Sequence, residues 1–227
     1  MKTKYFLTLI AAASLFFTAC KKYDNYEAPK ATLSGKVIYD GQLIPVRNGG
    51  PQLELWQDGF GVRSLIPVYV AHDGTFSASL FNGTYKLTRK GNSPWLQQST
   101  DTVVVQVNGQ TNIDLPVTPY FTIKNSTFAA SNNTVTANFV VDKVVATANN
   151  LQNVKLYLGQ VLLTDEVRNE LNVNANIATF VLGANSTITA TVPANLRNLP
   201  YVFARIGVKS SASSEYMYSQ VQKIALR

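Results

Sequence analysis

One cysteine and one histidine serve the whole 227-residue chain, and their scarcity removes several chemistries at once. Cys20 has no partner for an internal disulfide, so whatever holds an exported fold together is packing. Zinc wants three or four soft ligands, more than Cys20 and His72 supply. A hydrolytic triad needs a histidine beside a nucleophile, and His72 sits in Ala71-His72-Asp73-Gly74, which reads as a turn. Charge is sparse too, with 13 Asp and Glu against 20 Lys and Arg. No Asp-x-Asp-x-Asp spacing offers a calcium loop. Asp165 and Glu166 are adjacent and point apart, whereas glycosidic cleavage needs carboxylates that face each other across a cleft. The formal charge of +7 is scattered singly, without the basic stripe and interleaved aromatics of a nucleic-acid binder. The chain therefore predicts no enzyme, no cofactor, no metal and no nucleic-acid partner.

What is present begins at the N-terminus. Lys2 and Lys4 precede an apolar stretch from Phe6 to Phe17, which ends in Phe17-Thr18-Ala19-Cys20. A positive segment, a short apolar run and small residues before a cleavage point describe an export signal too short to stay as a spanning helix. The last four residues resemble the lipobox of bacterial lipoproteins, in which a peptidase cuts before the cysteine and its sulfur carries a diacylglycerol. Residues 1–19 are thus expected to be a signal peptide and Cys20 the lipidation site, tying the protein to a membrane through acyl chains. Each buried methylene contributes about 0.8 kcal/mol, so several chains at one residue anchor stably. Loss of Lys2 and Lys4 lowers the formal charge from +7 to +5. Residues 20–30 read as a lipidated tether without periodicity.

Beyond the tether, short alternating runs are separated by Asp40-Gly41, Gly49-Gly50, Asp73-Gly74, Asn82-Gly83 and Asn108-Gly109. Asn-Gly and Asp-Gly between such runs are strong hairpin signals, because both turn positions need positive φ. In Asn112–Val117 the apolar residues are Ile113, Leu115 and Val117, so one face packs and the other meets water. Leu53 and Leu55 flank Glu54, and Tyr85 and Leu87 alternate with Lys86 and Thr88. About seven strands fit between Ala31 and Val117, enough for one small β-sandwich. Pro116 and Pro119 interrupt the ladder at a domain joint, after which Val135, Ala137, Phe139 and Val141, then Val154, Leu156 and Leu158, alternate again. The stretch Asp165–Leu171 is the one helix-like segment, expected to make about two turns from Thr164. The fold class is all-β: two consecutive antiparallel β-sandwich domains, 31–118 and 119–227, after the signal and tether.

The order Leu33-Ser34-Gly35-Lys36-Val37, Leu53-Glu54-Leu55, Asp73-Gly74-Thr75-Phe76 and Leu80-Phe81-Asn82-Gly83-Thr84-Tyr85-Lys86-Leu87 resembles the carboxypeptidase-regulatory or transthyretin-like domain. In that reading Phe76, Leu80, Tyr85 and Leu87 fill the core. Together with Tyr23–Pro29 after the cysteine and Val117-Thr118-Pro119-Tyr120, the pattern is similar to Bacteroidetes lipoproteins of the domain of unknown function 3823 family, with an immunoglobulin-like second domain. The resemblance implies an outer-membrane lipoprotein near SusC/SusD-like glycan-uptake complexes, and brings no catalytic residues. Asp24 and Glu27 resemble the acidic signal that sends such lipoproteins to the cell surface.

Binding is the function these residues favour. Sugar rings lay their C–H faces on aromatic side chains while amides and carboxylates satisfy the hydroxyls. Trp95, in the polar loop Gly91–Gln98, is the first candidate for an exposed platform. Trp56, one step past Leu55 and facing away from the core, is the second, with Phe60 in the turn beyond it. Tyr157, Tyr216 and Tyr218 follow on the second domain. The alternative, that these aromatics close the ends of the sandwiches or the joint between them, stays open. Thr102 in Asp101-Thr102-Val103 resembles an acceptor for O-linked glycans, or else simply starts a strand. The expected role is an accessory glycan-binding or scaffold component of a polysaccharide-uptake system; the rival is a structural or adhesive surface protein whose partners are proteins.

Overall fold

The computed structural model describes residues 27–59, 62–97, 102–146 and 150–226. Cys20, Phe60 and Asp101 lie outside the described residues. Sixteen strands account for the regular structure, and no α-helix occurs among the described residues. None of their helices is long and apolar enough to cross a membrane.

The first unit is built around β1 (Ala31–Tyr39), whose alternate residues Ala31, Leu33, Gly35 and Val37 are buried. β1 pairs antiparallel with β2 (Gln42–Leu43) and β5 (Thr75–Leu80), and parallel with β8 (Gln110–Pro116). The opposing sheet runs β4 (Leu65–Tyr69), β3 (Gln52–Trp56), β6 (Gly83–Arg89), β7 (Val103–Val107), all antiparallel. Leu33, Val37, Leu53, Leu55, Phe76, Leu80, Tyr85, Leu87 and Leu115 fill the space between the sheets. Each such side chain contributes roughly 1.5–3 kcal/mol on burial. Eight strands, one of them only two residues long, stand where about seven were expected.

The turn dipeptides divide into two kinds. Asp40-Gly41 carries positive φ at both residues, 49° and 72°, and closes the β1–β2 hairpin. Asn82-Gly83 and Asn108-Gly109, by contrast, pass the chain from one sheet to the other, β5 to β6 and β7 to β8. A turn signal sets where the chain bends, while the partner strand is set by which apolar face must be covered. The two crossovers brace each other: the Gly109 N–H donates to Asn82 Oδ1 at 2.9 Å, and Thr32 N–H donates to the Gly109 carbonyl at 2.8 Å. Gly35 is no turn residue. It lies mid-strand between β5 and β8, where a Cβ would run into the Ile113 carbonyl and the Phe76 ring.

The second unit packs the sheet β13 (Asn185–Thr191), β10 (Thr134–Lys143), β9 (Phe121–Ser131) against β12 (Leu171–Asn174), β11 (Leu151–Gly159), β14 (Tyr201–Ser210), β15 (Tyr216–Tyr218), with β16 (Gln222–Ala225) also on β14. Val135, Ala137, Phe139 and Val141 meet Val154, Leu156, Val202, Ala204 and Ile206 in its core. The expected helix at Asp165–Leu171 is a loop. Asp165 accepts the N–H groups of Val167 and Arg168 at 2.8 and 3.0 Å, and Asn169 donates to the carbonyls of Asp165 and Glu166. These side chains satisfy backbone groups that a helix would need, and a seven-residue helix is too short to repay its nucleation. A 3-10 turn at Ile177–Thr179, capped by Asn176, stands elsewhere.

The two units are docked on one another. Met217 of β15 enters the first core. Tyr218 N–H donates to the Pro45 carbonyl at 3.1 Å, and Arg47 grips Glu215 with two hydrogen bonds of 2.8 and 2.6 Å. Arg205, fully buried, donates to the carbonyls of Val46 at 3.2 Å and His72 at 3.5 Å in the first unit and of Ser219 at 3.1 Å in the second. At the joint, Leu96 N–H bonds the Thr118 carbonyl and Tyr120 N–H the Pro94 carbonyl.

Candidate functional site

Docking leaves a cleft of about 1200 Å³ between the units. One wall is the outer face of β1 and β8, where Lys36 and Asp114 are paired in register, and the β1–β2 hairpin with Tyr39, Asp40 and Gln42. The other wall is the start of β9 and the end of β10, where Thr122 and Asp142 lie directly opposite, continued by Lys124 and Asn125. Met217, Tyr218, Ser219 and Gln220 also line it. Both lips are tight bends: positive φ at Asp40 and Gly41 on one side, and at Asn125 (52°) on the other.

The cleft mixes polar and apolar lining in about equal measure and is electrically balanced, with Lys36, Lys124 and Lys143 matched by Asp40, Asp114 and Asp142. Lys124 bonds Asp142 at 2.8 Å. That hydrogen bond and charge hold the Lys124 ammonium above its ordinary pKa, and Asp40 and Tyr39 of the opposite lip add to the effect through space. Thr122 is only 7% exposed, and its Oγ1 has no hydrogen-bond partner among the described residues. A buried hydroxyl left unpaired is costly, and because this one is closed off from solvent it burdens the free protein without facing a guest.

The candidate aromatics fall elsewhere. Trp95, expected to be exposed, is 1% exposed and belongs to the first core. Its loop forms a β-bridge to Pro119, so the domain joint covers the indole and leaves no face for a sugar. Trp56 does lie on the outer sheet face beside Glu54, half-buried, with the Arg63 guanidinium 4.8 Å above its ring. Asp58 bridges Lys86 at 2.5 Å and Arg63 at 3.7 Å, so this ring is already capped by a local ionic cluster. Thr102 is exposed immediately before β7.

Tyr157, Tyr216 and Tyr218 are buried, correcting the expectation of an outward platform. They pack on each other with centroids 5.8–6.3 Å apart. Tyr157 donates to Glu166 at 2.5 Å, Glu166 accepts Lys155 at 2.9 Å, and Arg205 stacks 4.1 Å over Tyr218. Burial pushes the phenols of Tyr157 and Tyr218 well above their ordinary range and lowers Arg205 to about 10. Through Arg205 and the Tyr218 N–H this cluster is tied to the first unit. Alternation placed Tyr216 and Tyr218 on a strand face, but only the other unit, docked on that face, buries it.

Asp165 and Glu166 do diverge, one to loop N–H groups and one to Tyr157 and Lys155. No group of three or more His, Cys, Asp or Glu side chains converges on a metal-sized space among the described residues. Tyr39, Thr122, Lys124 and Asn125 escaped the sequence reading. The signals were there only in part, in the Asp40-Gly41 bend beside Tyr39.

Comparison with known proteins follows this geometry. Residues 31–118 match the family profile described as "Protein of unknown function (DUF3823) N-terminal domain", and residues 121–223 match "Domain of unknown function (DUF3823_C)". No curated protein matches the chain. A DUF3823 family protein from Bacteroides ovatus is 49% identical with a TM-score of 0.82, covering 88% of this chain and 100% of its own. One from Parabacteroides merdae is 32% identical, TM-score 0.79, covering 87% of this chain and 100% of its own. A Bacteroides uniformis structure described as a "putative carbohydrate binding protein" shares the fold at 17% identity and TM-score 0.69, covering 87% of this chain and 100% of its own. With both profiles matched in order over most of its length, the chain belongs to the DUF3823 family.

Proposed function

We propose that this is a non-catalytic, lipid-anchored outer-membrane protein that holds an uncharged glycan in its interdomain cleft for a neighbouring SusC/SusD-like uptake complex. The observation that carries the reading is the cleft itself: a wide space of mixed polar and apolar lining, walled by two docked units, with charges in balance and Tyr39 on its lip. Balanced charge disfavours selection of a polyanion, and dense donors and acceptors beside Tyr39 suit a ring with hydroxyl edges and an apolar face. The shared fold of a protein described as carbohydrate-binding agrees with it. Anchoring rests on Cys20 and surface display on the tether, as the resemblance implies.

Affinity electrophoresis in gels containing xyloglucan, galactomannan, arabinoxylan or starch tests the reading. Retardation of the wild type by one of these polymers, lost in Tyr39→Ala and Lys124→Ala but kept in Trp95→Phe, is the expected result. No retardation by any of them, or retardation that survives both cleft variants, removes the cleft as a glycan site. Membrane fractionation of Cys20→Ala, expected to move the protein to the soluble fraction, tests the anchor separately. A second reading, protein contact without sugar, is favoured by β7, an uncharged edge strand with Val104 exposed.

A further inference from the structure

The cleft does not end at its own rim. Between the 3-10 turn at Ile177–Thr179 and β13, the turn Val181–Ala184 forms part of its wall through Leu182 and Gly183. The other side of the same turn, through Val181 and Ala184, lines a second groove of about 540 Å³. That groove runs between β12 and β13, the edge strands of the two sheets of the second unit. It is lined by amides and hydroxyls, among them Asn174, Asn185, Thr187 and Thr189, with Phe180 at its base stacked on Phe139. No charged side chain lines it.

The turn between the two spaces is low and apolar. Gly183 has φ of 78° and carries no side chain; its N–H is pinned to the Val141 carbonyl at 2.9 Å. Val181 and Leu182 stand exposed on the crest, at 62% and 38%. Exposed aliphatic side chains between a charge-balanced cleft and an uncharged polar groove suit a sugar chain, whose apolar ring faces are bordered by hydroxyls. The cleft alone exceeds the roughly 300–1,000 Å³ of small-molecule sites, and the groove extends it further.

We infer that the guest is the interior of an extended neutral polysaccharide, which lies in the interdomain cleft, crosses the Val181–Ala184 turn and continues along the groove between β12 and β13. This rests on the glycan reading above and adds chain length as what is recognised. A chain that spans both spaces engages the second one intramolecularly, so affinity grows with length until both are filled.

The test uses the full mature chain and whichever of xyloglucan, galactomannan, arabinoxylan or starch retards it, together with a disaccharide and a long fragment cut from that polymer. Titration calorimetry is expected to show the long fragment binding roughly tenfold or more tighter than the disaccharide. Val181→Asp and Asn185→Ala should abolish that gain while leaving disaccharide affinity as in the wild type. Both positions are exposed, and thermal melts confirm that the variants fold; Val181→Ser replaces Val181→Asp if it does not. Equal affinity for short and long fragments, or a gain retained in these variants, overturns the inference while the cleft reading stands. Absence of binding to every polymer overturns both.

Discussion

Replacing Thr122 by Val should stabilise the protein and leave its binding unchanged, because the atom removed is unpaired and closed off from solvent. Thr122 is 7% exposed, faces the cleft beside Asp142, and its Oγ1 finds no partner among the described residues. An unsatisfied buried hydroxyl costs about 1–3 kcal/mol, and Val fills nearly the same volume without it. The low end applies, because the side chain borders an open cleft. A gain of about 1 kcal/mol in a chain of this size raises Tm by roughly 2–4 °C. The hydroxyl is closed off from a guest in the cleft, so Kd should stay within about twofold of the wild type, roughly 0.4 kcal/mol. Differential scanning fluorimetry and affinity electrophoresis read the two effects on one preparation. Thr122→Ser, which keeps the hydroxyl and drops a methyl, should show a slightly lower Tm and likewise near-native binding. A lower Tm for Thr122→Val would refute the reasoning, since it would mean the hydroxyl is paid for in the free protein. A Kd raised tenfold or more would also refute it, since the hydroxyl would then be reaching the guest.

Trp95→Ala should lose about 3–5 kcal/mol in urea unfolding, as expected for emptying a core site at the domain joint; a loss below about 1 kcal/mol would mean that the indole is not packed as described. Gly35→Ala should cost about 3 kcal/mol or more, because a methyl there meets the Ile113 backbone and β1 cannot retreat from two flanking strands; a near-native urea midpoint contradicts the close approach. Stability should fall as pH rises past 10. Burial raises the folded pKa of Tyr157 and Tyr218 above the ordinary 10.0, so in that range the unfolded chain has released protons that the fold retains. Arg205, lowered by burial from 12.5 to about 10, acts in the opposite direction, but is one group against two. Urea midpoints should therefore decline above pH 10, less steeply in Tyr157→Phe; a flat or rising profile refutes the assignment.

Much of the architecture was legible locally. The alternation of Leu53 and Leu55 about Glu54, of Tyr85 and Leu87 about Lys86, and of Val135, Ala137, Phe139 and Val141 places each residue on the face where the structure has it. Side-chain direction in a strand repeats every two residues, so burial on one face is written in a few neighbours. The bend at Asp40-Gly41 was equally plain, since positive φ is a property of the residues themselves. Asn108-Gly109 marks the limit: the bend is there, but the strand after it joins β1 in parallel instead of folding back on β7. Local preference for Asp165–Leu171 as a helix failed for a related reason, because Asp165 and Asn169 found their partners in the loop backbone.

Amino-acid order alone determined that this chain is all-β, that it bends where Asp-Gly and Asn-Gly stand, and which face of each strand is apolar. Tertiary structure alone decided that Trp95 is sealed at a joint, that Tyr157, Tyr216 and Tyr218 form a cluster with Arg205, and that Lys36 comes to share a cleft with Lys124 and Asp142. Strand periodicity is a contact between near neighbours; a cleft is made by residues from two separate sheets, and their meeting depends on how one folded surface docks on another.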